Sequence, residues 1–135
     1  DSGLEVDFLR GAPGIYSSRF AGSHATDTDN NHKLLQLLNA VPKAQRSARF
    51  HCLMVYMRHE TDPTPLIAHG TWEGYILDQP RGANGFGYDP LFFCPEQGCS
   101  AAELASQIKN QVSHRASALS RLVEGLQHTH HATED

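Results

Sequence analysis

Residues Arg49–Arg58 read RFHCLMVYMR, and this stretch decides the fold class. Successive side chains of a strand point to opposite faces of its sheet, and here both alternating sets are largely apolar. One set is Phe50, Cys52, Met54 and Tyr56, and the other is Leu53, Val55 and Met57. A strand that is apolar on both faces is typical of a sheet covered on both sides. We therefore expect an α/β fold in which helices flank a central sheet.

The segment that follows this strand predicts its partner. Residues Asp62–Pro65 read DPTP, which is typical of a turn. Because that connection is short, it favours antiparallel pairing between Arg49–Arg58 and the next strand pattern, at Leu66–Leu77. Gly70 and Gly74 interrupt the second pattern, so it predicts either one strand or two.

Three helices are predicted from their capping residues. Thr26 and Asp29 stand in capping-box register and indicate a helix that Pro42 ends. The segment Ser100–Glu103 has the same spacing and predicts the start of a second helix. We expect a break near Ser113, where that serine would cap a third helix.

Composition bounds the function. The chain has 135 residues, enough for one domain, and a net charge of -4, which does not indicate a surface for a nucleic-acid polymer. No apolar run approaches the roughly 18 residues of a membrane span. An odd cysteine count (Cys52, Cys94 and Cys99) without a Cys-x-x-Cys pair argues against a disulfide framework. We therefore expect a reducing, cytoplasmic location and no membrane partner.

A glycine-rich loop is the clearest candidate for a binding site. Residues Gly82–Pro90 read GANGFGYDP and lead directly into the apolar Leu91–Phe93. Glycines let a backbone approach a ligand closely, and Phe86 and Tyr88 offer flat faces. The pattern favours a loop that wraps a flat ligand with a polar edge. The alternative is a structural turn in which Phe86 packs into the core.

A second window, Lys109–Ala116 (KNQVSHRA), gives this loop a context. With Asp1–Leu4 (DSGL) and Gly11–Arg19 (GAPGIYSSR), the two windows resemble the inosine triphosphate pyrophosphatase family (Ham1/RdgB-like), in its bacterial branch. The resemblance runs from Asp1 to about Leu126. It implies a mixed central sheet flanked by helices, and hydrolysis of deaminated purine nucleoside triphosphates (ITP, dITP and XTP) to the monophosphate and pyrophosphate.

The resemblance also implies roles for individual residues. Asp1 matches the catalytic aspartate, which serves as proton acceptor and ligand of Mg2+. The positions that match substrate-binding residues are Ser2, Phe86, Gly87, Tyr88, Asp89, Lys109, His114 and Arg115. Among them, Phe86 would stack on the base, and Arg115 would donate to the 6-oxo group of hypoxanthine or xanthine. Adenine carries an amine there, so it would leave those donors unsatisfied, at a cost of roughly 1–3 kcal/mol.

The chain departs from the family pattern ahead of Asp1. Members begin with a Thr/Ser-x-Asn-x-x-Lys phosphate-binding loop and a metal-binding glutamate, and no such residues precede Asp1. We therefore expect residues 1–127 to be the C-terminal two-thirds of one domain, residues 128–135 to be a disordered tail, and the parent to be a homodimer. Catalysis by the fragment should be weak or absent.

Two other functions remain open from the sequence. One is a non-catalytic purine-nucleotide-binding protein that keeps the base pocket and lacks a phosphate grip. The other is a metal-binding interaction module that uses the histidines and cysteines, although their scatter along the chain does not favour it.

Overall fold

The described residues form one six-stranded sheet and three α-helices. The structure, a computed structural model, describes the backbone of residues 1–134 and the side chains of residues 1–128. The strands are β1 (Ser2–Val6), β2 (Pro13–Gly14), β3 (Ser47–Tyr56), β4 (Leu66–Ile76), β5 (Phe92–Cys94) and β6 (Cys99–Ser100). The helices are α1 (Asp27–Leu37), α2 (Ser106–Val112) and α3 (His114–Glu134). The sheet order is β2-β1-β3-β4-β5-β6, and each of these five pairings is antiparallel. The predicted α/β class is confirmed, and within the described residues the sheet is antiparallel throughout rather than mixed.

The long hairpin of β3 and β4 is the centre of the sheet, and its predicted antiparallel pairing is confirmed. β4 is one continuous strand, which settles the choice that its two glycines left open. Both glycines lie where another part of the backbone passes close by. A Cβ at Gly70 would collide with the carbonyl oxygen of His114 in α3, and one at Gly74 with that of Phe93 in β5. They therefore allow close packing rather than ending the strand.

The two faces of β3 differ in burial. Phe50 lies in the core, where its ring packs against Trp72 and Phe92. On the opposite face, Val55 is 51% exposed, and Ile67, its partner on β4, is 64% exposed. Among the described residues, the sheet is therefore covered on one side at this end. The expectation of cover on both sides does not hold for this part of the chain.

The helix starts follow the predicted caps in two cases out of three. Thr26 and Asp29 form the expected capping box of α1. Ser113 caps α3, where its Oγ accepts the N–H of Ala116. The box at Ser100 also forms, but it caps a 3-10 turn over Ala101–Glu103, so the prediction that it opens a second α-helix was wrong. The reason is that the Ala102 carbonyl accepts from Asn84 of the glycine loop, and the chain then becomes extended.

Helix α3 packs on β4, and the residues of its first turn, His114 to Ala116, line the cleft described below. Ala118 is fully buried against Gly70, whereas the apolar residues Leu119 and Val123 of the same helix are half-exposed. No helix among the described residues has both the length and the apolarity needed to cross a bilayer. The disordered tail predicted at 128–135 lies almost wholly outside the residues whose side chains are described, and it stays a prediction.

Candidate functional site

A cleft of about 1000 Å³ opens between β1, the glycine loop, α2 and the start of α3. It collects residues from three separate windows of the sequence. All eight residues predicted to bind substrate line it: Ser2, Phe86, Gly87, Tyr88, Asp89, Lys109, His114 and Arg115. The extended Ser113 between the two helices makes this possible, because it turns α3 so that its first residues face the cleft rather than continuing α2. Their grouping is observed, and their individual roles stay predictions.

Phe86 is the most exposed aromatic side chain of the cleft. Its ring is 59% exposed, so the structural alternative of a core position is wrong. Two cations lie near its ring: Lys109 Nζ is 5.0 Å and Arg115 Cζ is 5.2 Å from the ring centroid. An aromatic face bordered by positive charge suits a flat π-system with electronegative edge atoms.

The backbone around Phe86 is fixed by carboxylates. Asp89 Oδ2 accepts the Phe86 N–H at 3.1 Å, and Asp27 Oδ2 accepts the Gly87 N–H at 2.8 Å. The Gly87 carbonyl in turn accepts from Asn31 Nδ2 at 3.1 Å. Two consecutive amides are thus engaged by anions. A glycine loop that cradles phosphate needs such amides free, so this loop is built to present a ring rather than to hold an anion.

Tyr88 and Asp89 hold the loop from inside. Both side chains are buried, and the Tyr88 hydroxyl donates to the Ser17 carbonyl at 2.6 Å. Burial raises the pKa of Tyr88, so the phenol stays protonated. Asp89 Oδ2 accepts from Lys109 Nζ at 2.5 Å as well as from the loop amide. These two side chains therefore connect the loop to its neighbours.

His114 is buried at the inner end of the cleft. Its Nε2 lies 2.7 Å from Ser2 Oγ, and its ring stacks on Phe50 at a centroid distance of 5.0 Å. Burial, with smaller contributions from the charges of Arg115 and Lys109, lowers the pKa of His114 to about 4. The imidazole is therefore neutral at pH 7. Its Nδ1 is buried without a hydrogen-bond partner among the described residues.

Asp1 lies beside the cleft, next to Ser2. Its amino group donates to the Leu53 carbonyl at 2.8 Å, and the Leu53 N–H donates to its carbonyl at 2.7 Å. Its side chain is exposed. Within the described residues no three histidine, cysteine or acidic side chains cluster as a metal site. One carboxylate fits Mg2+ only where phosphates and waters supply the remaining ligands, as is common for this ion.

The contacts of Asp27, Asn31 and Ser17 were missed by sequence reasoning. Asp27 and Asn31 looked like ordinary residues of a packing helix, and nothing in their spacing pointed to a loop 56 residues or more away. Ser17 belongs to the quoted Gly11–Arg19 window, but its contact with Tyr88 spans 71 positions. Contacts of this kind leave no periodic signal in a single sequence.

Comparison with known proteins gives a consistent result. The profile of the Ham1 family matches residues 1–125. A dITP/XTP pyrophosphatase of Vibrio cholerae serotype O1 is 59% identical over 127 residues, which cover 94% of this chain and 64% of that protein. The chain therefore spans less than two-thirds of the length of this curated relative.

Solved structures agree with that match. A HAM1 protein from Coxiella burnetii superposes with a TM-score of 0.89 at 51% identity, over 95% of this chain and 65% of the other. The Staphylococcus aureus Ham1 protein gives a TM-score of 0.88 at 40% identity, over 96% and 65%. The two matches therefore agree with the family match in both fold and overall sequence.

Proposed function

The chain belongs to the Ham1 family, and on that premise we propose that it acts in the hydrolysis of deaminated purine nucleoside triphosphates (ITP, dITP and XTP). The products are the monophosphate and pyrophosphate. The observation that carries the proposal is the exposed Phe86 ring, which stands in the cleft with Lys109 and Arg115 over it. The name of the Vibrio cholerae relative, a dITP/XTP pyrophosphatase, supports the same substrate class.

Recognition of the base follows from hydrogen-bond chemistry. Phe86 stacks on the purine, an interaction worth about 1–3 kcal/mol that does not distinguish one purine from another. Arg115 donates to the 6-oxo group, and the 6-amino group of adenine would leave that donor unpaired. Neutral His114 adds a group that is held by Ser2 and can accept or donate at the buried end of the cleft. Polar mismatch of this kind discriminates better than shape alone.

We propose Asp1 as the residue that accepts the proton of the attacking water and that would hold Mg2+. When bound, the ion would neutralise the negative charge of the phosphates. Asp1 is next to Ser2, so a nucleotide whose base lies on Phe86 can extend its phosphates toward the β1 end of the cleft. The hydroxyl of Ser2 can donate there while it accepts from the Nε2–H tautomer of His114; in the other tautomer its proton is engaged by Nε2.

The base-binding part of the proposal is tested by calorimetry with IMP and AMP as probes. We expect IMP to bind more tightly than AMP. Phe86→Ala should weaken IMP binding by about 5- to 150-fold, which is the stacking contribution expressed as an equilibrium constant. Phe8→Ala is the matched control, because Phe8 is also half-exposed but does not line the cleft. Equal binding of IMP and AMP would contradict the proposal.

Catalysis is tested separately, by pyrophosphate release from ITP, XTP and ATP in the presence of Mg2+. We expect slow turnover of ITP and XTP, little turnover of ATP, and loss of activity in Asp1→Asn, which removes the proton acceptor. If the chain binds IMP but releases no pyrophosphate from ITP or XTP, the second candidate, a non-catalytic purine-nucleotide-binding protein, is favoured. That candidate is supported by the engaged amides of the glycine loop, which offer no phosphate grip.

Assembly and location complete the proposal. We propose a homodimer, because the exposed apolar residues Val55 and Ile67 lie side by side on one face of the sheet. Analytical ultracentrifugation of the chain tests this assembly; a monomer at high concentration would contradict it.

A cytoplasmic location is supported by three free thiols, Cys52, Cys94 and Cys99, which suit a reducing compartment.

A further inference from the structure

We infer that Asp27 and Asn31 of α1 are positioning residues, which set the orientation of the Phe86 ring by holding the peptide groups of Gly87. The inference rests on the proposed function, since the ring they orient is the proposed stacking surface. Neither residue is among those that the sequence motifs pointed to. Both form hydrogen bonds with the loop backbone, and these contacts between distant parts of the chain can be identified only from the structure.

The two side chains form hydrogen bonds with both backbone polar groups of Gly87. Asp27 Oδ2 accepts the Gly87 N–H at 2.8 Å, and Asn31 Nδ2 donates to the Gly87 carbonyl at 3.1 Å. Positions 27 and 31 are four residues apart, so they lie on the same face of α1. On the N-terminal side of Phe86, Asp89 Oδ2 accepts the Phe86 N–H at 3.1 Å. The Phe86 residue is therefore held by a hydrogen bond on each of its flanking peptide groups.

These backbone hydrogen bonds matter because the Phe86 ring lies outside the core. Phe86 is 59% exposed, so core packing does not set its orientation. The neighbours Gly85 and Gly87 have φ values of +76° and +61°, a region that glycine enters freely, and without restraint both have many other conformations available. Fixing the loop before the ligand arrives removes an entropic cost from binding, which raises affinity without any added contact.

Asp27 also has an ordinary structural role that the test must separate. It occupies the first turn of α1, where a carboxylate is favourable to the helix dipole. Asp29 lies in the same turn with the same charge, and its described hydrogen bonds go to Thr26 alone. Asp29→Ala therefore removes an acidic group and a helix cap without touching the loop, and serves as the matched control.

The experiment measures IMP binding by calorimetry in the whole chain. Asp27→Ala and Asn31→Ala should each weaken binding by about 10-fold, the size expected for losing one well-formed charged or buried hydrogen bond. Asp27→Asn should restore most of the affinity, because its amide oxygen can still accept the Gly87 N–H. Asp29→Ala should leave the affinity unchanged. Amide hydrogen exchange at Gly87 should speed up in Asp27→Ala and not in Asp29→Ala.

A double variant identifies how Asp27 acts. If it acts by orienting the ring, Asp27→Ala should have no further effect on IMP binding once Phe86 is alanine. Additive losses would mean that Asp27 contacts the nucleotide directly and would overturn the inference, as would equal effects of Asp27→Ala and Asp29→Ala. If the wild-type chain binds no IMP, the proposed function fails instead. In that case the amide exchange rate of Gly87 tests its hydrogen bond to Asp27 independently of the ligand. Unchanged exchange in Asp27→Ala would refute this hydrogen bond.

Discussion

Ser2 Oγ lies 2.7 Å from His114 Nε2, although 112 positions separate the two residues along the chain. The contact joins the first strand to the first turn of α3 at the inner end of the cleft. His114 is buried there against Phe50, with its ring at stacking distance. This pair is therefore part of both the packed fold and the candidate site. The protonation of the His114 imidazole should affect the stability of the fold.

The stability of the chain should depend on pH through His114. Its pKa is lowered by burial to about 4 in the folded state, from the ordinary 6.5 of the unfolded chain. Between these values the unfolded chain binds a proton that the folded chain does not, so stability is full above pH 6.5 and falls as pH drops toward 4. The loss is of the order of 3 kcal/mol. Urea unfolding at several pH values measures it.

The control for this titration is His114→Gln, which keeps a hydrogen-bonding side chain without a titrating ring. Its unfolding free energy should fall less steeply over the same pH range. His24→Gln changes an exposed histidine and should keep the wild-type slope. If His114→Gln and wild type share one pH profile, the imidazole is not held neutral by the fold.

Gly70→Ala should destabilise the chain by about 1–3 kcal/mol. A Cβ at Gly70 would strike the backbone of α3 at His114 and Ala118, which cannot yield without moving the helix. Gly125→Ala is the control on α3, because among the described residues its Cβ would meet the Leu66 side chain at the ordinary contact distances of 3.5 Å and 3.7 Å. That change should be neutral or stabilising, since alanine favours a helix over glycine. Thermal unfolding of both variants compares them, and an equal effect would contradict this packing.

Tyr88→Phe should lower the free energy of unfolding by about 1 kcal/mol, because the Ser17 carbonyl loses its donor in a partly buried place. Chemical denaturation measures this change. Calorimetry with IMP supplies the contrast. If the affinity for IMP fell while the free energy of unfolding stayed the same, the Tyr88 hydroxyl would bind the ligand rather than stabilise the loop.

Arg115→Ala should reduce the preference for IMP over AMP more than it reduces binding of AMP. The guanidinium is the proposed donor to the 6-oxo group, and AMP gains nothing from it. We expect the preference to fall by about 5- to 150-fold, the value of one unmade hydrogen bond. Arg121→Ala is the control on the same helix, where the guanidinium donates to the His69 carbonyl outside the cleft. An unchanged preference in Arg115→Ala would assign base reading to another group.

Ile67→Glu should reduce self-association of the chain. Ile67 is 64% exposed opposite Val55, and a carboxylate on that apolar face opposes its burial against another molecule. Light scattering over a range of protein concentrations measures the effect. Thr71→Glu adds the same charge farther along the same face of β4 and should change association less.

The sequence predicted those parts of the structure that depend on local backbone chemistry. The alternation in β3, the short connection to β4 and the capping box at Thr26 each involve neighbours along the chain, and each appears in the structure. The motifs also pointed to residues that lie together, since Ser2, Phe86 and His114 share one cleft. The box at Ser100 was misjudged because its turn serves the distant loop rather than a helix.

What the sequence by itself determined is the fold class, the strands and caps, and the set of residues that meet. The tertiary structure alone decided how they meet: that Asp89 is buried beneath the loop, that Phe86 is exposed, and that Asp27 holds Gly87. The physical reason is the range of the forces involved. Periodicity and capping act over a few residues, whereas burial and hydrogen bonds between remote segments exist only after strands and helices have packed.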